Sequence, residues 1–268
     1  MASVDQGGGY YNTAIISQQN GGVGGGYDHA TIKQNAGSDH GNSNFASISQ
    51  DTAGYLGYQT ASIQQADLNA SGMGHGNQAS IAQYRNGSAT GDIGQSGNFN
   101  YASIAQSFNI GANAGVYQHG TGNQAAFGGW DSINQFNTVS SLAYVQQNGD
   151  YNRGSIAQSN GSYLSANLMQ QDGVSNLAYL SQGGGDHLTA NVTQTGSWNV
   201  ASTTQTGSYN DIVLTQDGFG NSANVLQSGI GGAGLAMNKV NISQTGNGMV
   251  SNVSQLSGSG NVTNIVQH

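Results

Sequence analysis

Asn100-Tyr101-Ala102-Ser103-Ile104-Ala105-Gln106 is the stretch that decides the fold, because its frame returns along most of the chain. Asn44-Phe45-Ala46-Ser47-Ile48-Ser49-Gln50 and Asn77-Gln78-Ala79-Ser80-Ile81-Ala82-Gln83 repeat it closely. Later copies drift but hold the phase: Asn152, Ile156 and Gln158; Asn176, Ala178, Leu180 and Gln182; Asn221, Ala223, Val225 and Gln227. The block is Asn-x-Ala-x-Ile-x-Gln. An alternation of period two over seven residues places Asn, Ala, Ile and Gln on one face of a β-strand and the intervening residues on the other.

Twenty closing glutamines fit this frame, from Gln18 and Gln34 through Gln135, Gln147, Gln158 and Gln171 to Gln255 and Gln267. Two residues before each, 19 of the 20 are Ile, Val, Leu or Met, with Thr203 the exception. Four residues before, twelve are Ala; six before, eleven are Asn. Amide richness alone does not hold three residue types at fixed offsets. At the block closed by Gln171, Ala166-x-Leu168-x-Gln170 also fits, one residue earlier. Most intervals between glutamines are 11 or 12 residues, but the first four are 15 to 18, and Gln118–Gln135 and Gln227–Gln244 are 17. The surplus, as in Gly229-Ile230-Gly231-Gly232-Ala233-Gly234, reads as lengthened loops.

Composition sets the same limits from outside. The 268 residues hold 31 Asn and 28 Gln, 44 Gly, no Pro, no Cys, twelve Asp and no Glu. Lys33, Arg85, Arg153 and Lys239 are the only side-chain bases besides six histidines. Few residues suit surface helices, yet the charge is too low and the β-branched content too high for a solvated disordered polymer. A net charge of −8 argues against nucleic acid as partner. No apolar run is long enough to span a bilayer as a helix. Met1 to Tyr11 has neither the basic nor the apolar region of a signal peptide and reads as a short Gly- and Tyr-containing leader ahead of an array from 12 to 267.

Between blocks, a glycine two residues after the glutamine (Gly149, Gly173, Gly196, Gly207, Gly218 and Gly246) supplies the positive φ of a tight reversal. The unit is then strand, four-residue turn, strand, four-residue turn. The fold expected is an all-β, two-sheet solenoid of about ten coils. Its facing strands run oppositely, so Ala lies across from Ile and Asn across from Gln as amide pairs. A single coil buries too few side chains to offset the cost of ordering its backbone. Stacked coils pair every main-chain group and align Asn on Asn and Gln on Gln as hydrogen-bonded ladders.

The longer frame Gln-x-Gly-x-x-Asn-x-Ala-x-Ile-x-Gln stands nearly complete at 147–158, 171–182 and 216–227. It resembles the curlin repeat, the unit of bacterial curli fibres, over about residues 12 to 267. The resemblance implies a secreted subunit that polymerises at the bacterial cell surface into functional amyloid and supports biofilm matrix and adhesion. It also implies a nucleating subunit and secretion machinery as partners. The chain departs from the family pattern in having about ten coils where many members carry about five repeats. It also lacks the longer leader and targeting stretch that such subunits carry.

Unprotected strand edges at both ends of a stack invite addition of another copy in an open, non-closing contact, so the partner expected is the chain itself. Asp51, Asp150, Asp172 and Asp217 fall in or beside turns, where Asp is a common turn former; stacked, they would also repel and slow assembly. The six histidines (His29, His40, His75, His119, His187 and His268) lack metal-ligand spacing. Asp186-His187 after Gly183-Gly184-Gly185 hints at a cation loop, but the nonapeptide of calcium-binding β-rolls is absent. No paired carboxylates and no nucleophile elbow stand out. The chain is therefore expected to be no enzyme, with no cofactor and no metal. Asn-x-Ser/Thr matches such as Asn191-Val192-Thr193 follow from composition. Phe45, Tyr101 and Tyr179 fall on outward positions. The competing readings are the minor, nucleating subunit of the same fibre, and a monomeric ligand- or ice-binding solenoid. Ice binding needs a flat outward array of Thr, and the mixture of Ser, Thr, Tyr, Asn and Ala disfavours it.

Overall fold

In the computed structural model, residues 1–7, 12–19, 27–35, 44–52, 58–66, 76–125, 133–230 and 237–268 are described. They form an all-β solenoid: 22 strands, all paired in parallel, and no helix among the described residues. Strands pair alternately along the chain, each with the strand two positions on, save that Gln124–Ala125 and Ile133–Val139 together fill one place in the ladder. One ladder runs from Ala2–Gly7 through Tyr27–Asn35 and Tyr58–Ala66 to Asn238–Asn247 and Val262–Gln267. The other runs from Thr13–Gln19 through Phe45–Asp51 and Gln78–Tyr84 to Ser222–Ile230 and Val250–Gln255. The pairing of Val139 with Ile110 joins the ladders into one sheet.

The register follows the repeat. Ala79 pairs with Ala102, Ile81 with Ile104 and Gln83 with Gln106. Farther along, Ala178 pairs with Ala201, Leu180 with Thr203 and Gln182 with Gln205. Like therefore lies on like, and the apolar positions form one continuous core that includes Ile48, Ile81, Ile104, Ile156, Leu180 and Val225. Across that core the small position meets the large one. A Cβ on Gly91, which holds an Ala place, would lie 3.1 Å from Ile81 Cγ2, and one on Gly154 would lie 2.5 Å from Leu168 Cδ2. Alternating small and large residues fills the space between facing strands without voids.

Several sequence expectations are corrected. The closing glutamine after Gln158 is Gln170 and not Gln171: Gln170 pairs with Gln147 and Gln194 and is fully buried, and Ala166 and Leu168 are buried with it. The register shifts by one residue between Gln147 and Gly149, so Gln171-Asp172-Gly173 accommodates an extra residue. Positive φ moves accordingly. It occurs at Gly149, Gly196, Gly207, Gly218 and Gly246, whereas beside Gly173 it is Asp172 that adopts it (φ 51°).

The surplus between Gln118 and Gln135 is not a lengthened turn. Ala125 pairs with Ala102, 23 residues before it, and Ile133 pairs with Ile104, 29 residues before it. Six extra residues therefore interrupt the strand between its Ala and Ile positions. The surpluses after Gln18, Gln34, Gln50 and Gln65, and the stretch 231–236 after Ile230, fall largely outside the described residues, as do His40 and His75.

Strands are also longer than the seven-residue block. Asn210–Phe219 and Asn238–Asn247 stay paired through Gly218 and Gly246, because stacked turns keep donating to the coil beside them. Within the first eleven residues, Ala2–Gly7 is itself a strand, with Ala2 on Ala30, Val4 on Ile32 and Gln6 on Gln34.

Candidate functional site: amide columns ending at open strand edges

The glutamines form two unbroken columns along the stack. In one, the Nε2 of Gln6 donates to the Oε1 of Gln34, Gln34 to Gln65, and so on through Gln147, Gln170 and Gln194 to Gln267. In the other, Gln18 donates to Gln50, Gln50 to Gln83, Gln83 to Gln106, and the column continues through Gln158, Gln182, Gln205 and Gln227 to Gln255. Steps within the columns are 2.7–3.0 Å. Such buried side chain–side chain chains reinforce one another where every member is satisfied.

The second Nε2 proton ties the facing strands together. Gln158 donates to the carbonyl of Leu142 at 2.9 Å, Gln182 to that of Ser165 at 2.9 Å, and Gln106 to that of Thr90 at 3.1 Å. Each acceptor sits five residues before the closing glutamine of the facing strand. The Asn–Gln amide pairs expected across the core are therefore replaced by amide-to-main-chain bonds. The Gln side chain is long enough to reach the facing backbone, and a main-chain carbonyl keeps a second lone pair free for it.

Asparagines form a column of a different kind. The main-chain N–H of Asn100 donates to Oδ1 of Asn77 at 3.0 Å, that of Asn176 to Asn152 at 3.1 Å, and that of Asn221 to Asn199 at 3.0 Å. Asn44 accepts in the same way from the N–H of Asn77. Their Nδ2 groups reach the turn glycines: Asn123 donates to the carbonyl of Gly149, Asn152 to Gly173, Asn176 to Gly196, Asn199 to Gly218 and Asn221 to Gly246. Each Asn thus pins its own coil to the turn of the next one along the stack, and this explains why Gly and Asn recur in phase. Gly218 also cannot carry a Cβ, which would lie 2.0 Å from the carbonyl oxygen of Gly246. A further Asn column was missed in the sequence because it lies outside the seven-residue block. Asn109 N–H donates to Asn86 Oδ1, and both the N–H and the hydroxyl of Thr138 donate to Asn109 Oδ1.

Among the described residues, each of the four outermost strands is paired on one side only. Ala2–Gly7 pairs with Tyr27–Asn35, Thr13–Gln19 with Phe45–Asp51, Val250–Gln255 with Ser222–Ile230, and Val262–Gln267 with Asn238–Asn247. Val4, Ile15, Val250 and Val262 are about half exposed or more. The columns are also directional: Nε2 always donates toward the C-terminal end. One end of the stack therefore finishes in the amides of Gln6 and Gln18 and the other in those of Gln255 and Gln267.

On the outer faces, Phe45, Tyr101 and Tyr179 are exposed. Other rings stack along the axis, as Tyr163, His187 and Tyr209 do with centroids 4.8 and 4.7 Å apart. Asp150 accepts from the N–H of Thr121, and Asp186 from that of Ser162. Among the described residues there is no group of three His, Asp or Glu able to hold a metal, and no helix long and apolar enough to cross a membrane.

Residues 168–196 and 185–218 match the family model of the curlin associated repeat. No curated protein matches the chain. The matched stretch shares its register, its two glutamine columns and its asparagine column with the coils on either side. Over residues 168–218 the chain is therefore similar to the curlin associated repeat.

Proposed function

We propose that the protein is the structural subunit of an extracellular curli-type amyloid fibre, adding copies of itself strand by strand at the open ends of its solenoid. Fibres of this kind support biofilm matrix and adhesion at the bacterial surface, with a nucleating subunit and export machinery as partners implied by the family. One observation carries the reading: four one-sided edge strands bracket two amide columns whose ends are chemically complementary. The end closed by Gln255 and Gln267 has the donor sense, with Gln255 Nε2 capped by the Thr263 hydroxyl that an incoming amide oxygen would replace, and the end closed by Gln6 and Gln18 has the acceptor sense. A copy seated head to tail continues every column without a change of register, and such a contact is heterologous and does not close.

The test is unseeded incubation of the full chain, followed by amyloid-dye fluorescence, electron microscopy and fibre diffraction. Fibres with a meridional spacing of about 4.7–4.8 Å support the proposal. A soluble monomer that persists at high concentration overturns it and favours a solitary binding solenoid.

A further inference from the structure

Asp28 occupies a place that the repeat gives to asparagine, six residues before a closing glutamine. Its side chain is 3% exposed, and the Thr52 hydroxyl is the donor that reaches its carboxyl. Its register neighbour in the same column is Gln59, which is fully buried and whose Oε1 is without a donor. The Gln59 Nε2 is engaged with the Asp51 carbonyl at 3.4 Å. Two adjacent buried side chains thus offer three acceptor oxygens to the Thr52 hydroxyl, and Gln59 Oε1 is left without a donor, which costs free energy.

We propose that Asp28 enters the folded stack as the neutral acid, taking one proton from solvent and donating it to Gln59 Oε1, so that the coils at this end close on a proton. A carboxylic acid has the shape of the asparagine amide it replaces, with one donor and one acceptor. The groups facing it are few. The α-ammonium of Met1 donates to the Asp28 carbonyl, and the Thr52 hydroxyl and the Asp51 carboxyl lie on the adjoining corner. The guanidinium of Arg85, on the next coil, sits over the Tyr84 ring, 4.8 Å from its centroid. His29 and Lys33, on the same strand, are exposed on its opposite face. Burial pushes the Asp28 carboxyl above its ordinary range and Asp51 adds to this, while the α-ammonium and the Thr52 hydroxyl pull the other way.

The sign of the pH dependence follows. The folded coils hold a proton that the unfolded segment releases above its ordinary carboxyl pKa, so folding there is strongest in acid. It weakens as pH rises toward the folded value, then levels off. Each pH unit within that window multiplies local opening by up to about tenfold.

The experiment is amide hydrogen exchange by mass spectrometry on the soluble full chain, corrected for intrinsic rates. Peptides covering Tyr27–Asn35 and Tyr58–Ala66 are followed from acid to neutral pH in the wild type and in Asp28→Asn. A carbon-13 NMR titration of the Asp28 carboxyl runs alongside. The expected result is opening that accelerates with pH in the wild type and stays flat in Asp28→Asn, with Asp28 titrating above ordinary aspartates. Matching pH profiles in the two proteins, or an Asp28 that titrates like the exposed aspartates, overturns the proposal. Because the reading is made on soluble chain, it stands or falls separately from fibre formation.

Discussion

Replacing Gln182 with leucine isolates what one amide contributes inside a column. Gln182 Nε2 donates to Gln205 Oε1 at 2.8 Å and to the Ser165 carbonyl at 2.9 Å, and its Oε1 accepts from Gln158 Nε2 at 2.9 Å. Leucine fills nearly the same space but leaves the buried Gln205 Oε1 without its donor and one Gln158 N–H without its acceptor. Gln158 still donates to the Leu142 carbonyl and still accepts from Gln135 Nε2. Two stranded buried groups cost about 1–3 kcal/mol each, offset by about 1 kcal/mol from added apolar burial. The net loss is about 1–5 kcal/mol. Gln267→Leu is the matched control: it removes bonds from Gln244 and Ser251 at a one-sided edge, where water replaces them, and should cost under about 1 kcal/mol. A stacked repeat opens locally, so the assay is hydrogen exchange of the soluble chain over Arg153–Ser162, Leu177–Gly183 and Val200–Ser208. Opening there should accelerate roughly 5- to 4,000-fold in Gln182→Leu, at about tenfold per 1.4 kcal/mol. An effect no larger than that of Gln267→Leu would show that the columns set register without contributing cohesion, and the reasoning would fail.

Two other substitutions probe the core and the turns. Thr203 is fully buried between Leu180 and Val225 in register, with no partner for its hydroxyl. Thr203→Val should therefore raise stability by about 1–2 kcal/mol, read as a higher urea midpoint; a lower midpoint would mean that the hydroxyl is satisfied in solution. Gly218→Ala forces a Cβ to 2.0 Å from the Gly246 carbonyl oxygen at φ +121°, whereas Gly184→Ala meets nothing within 4 Å at φ +68°. The first should open its coil and suppress assembly. The second should cost only about 1–2 kcal/mol of backbone strain, and equal thermal shifts in the two would contradict the stacked-turn geometry.

The legible part of this protein is the part written in period two. Ile81, Ile104 and Ile156 announce a core column because each stands two residues before a glutamine, and that spacing survives every drift in the neighbouring residues. The strand Ala2–Gly7 is legible too, since Ala2, Val4 and Gln6 keep the offsets of the block, but with no asparagine ahead of them they look like a leader. Other features had no local signal. Gln170 and Gln171 are chemically identical neighbours, and only pairing with Gln147 and Gln194 selects the first. The six residues inserted between Ala125 and Ile133 look like any long turn until both halves of the strand are matched to Ala102 and Ile104.

The sequence by itself determined that this is a stacked all-β chain, because the side-chain alternation of a strand and the positive φ of its turns are properties of single residues and their nearest neighbours. Tertiary structure alone decided where the amide protons go: from Gln to Gln along the axis, from Gln to the facing backbone, and from Asn to the glycine carbonyls of the turns. Those choices depend on which groups are brought within hydrogen-bonding distance by strands 16 or more residues apart, and no local pattern encodes that distance. The same holds for Asp28. Its aspartate could be read as one more turn former until a buried, donorless Gln59 was found beside it.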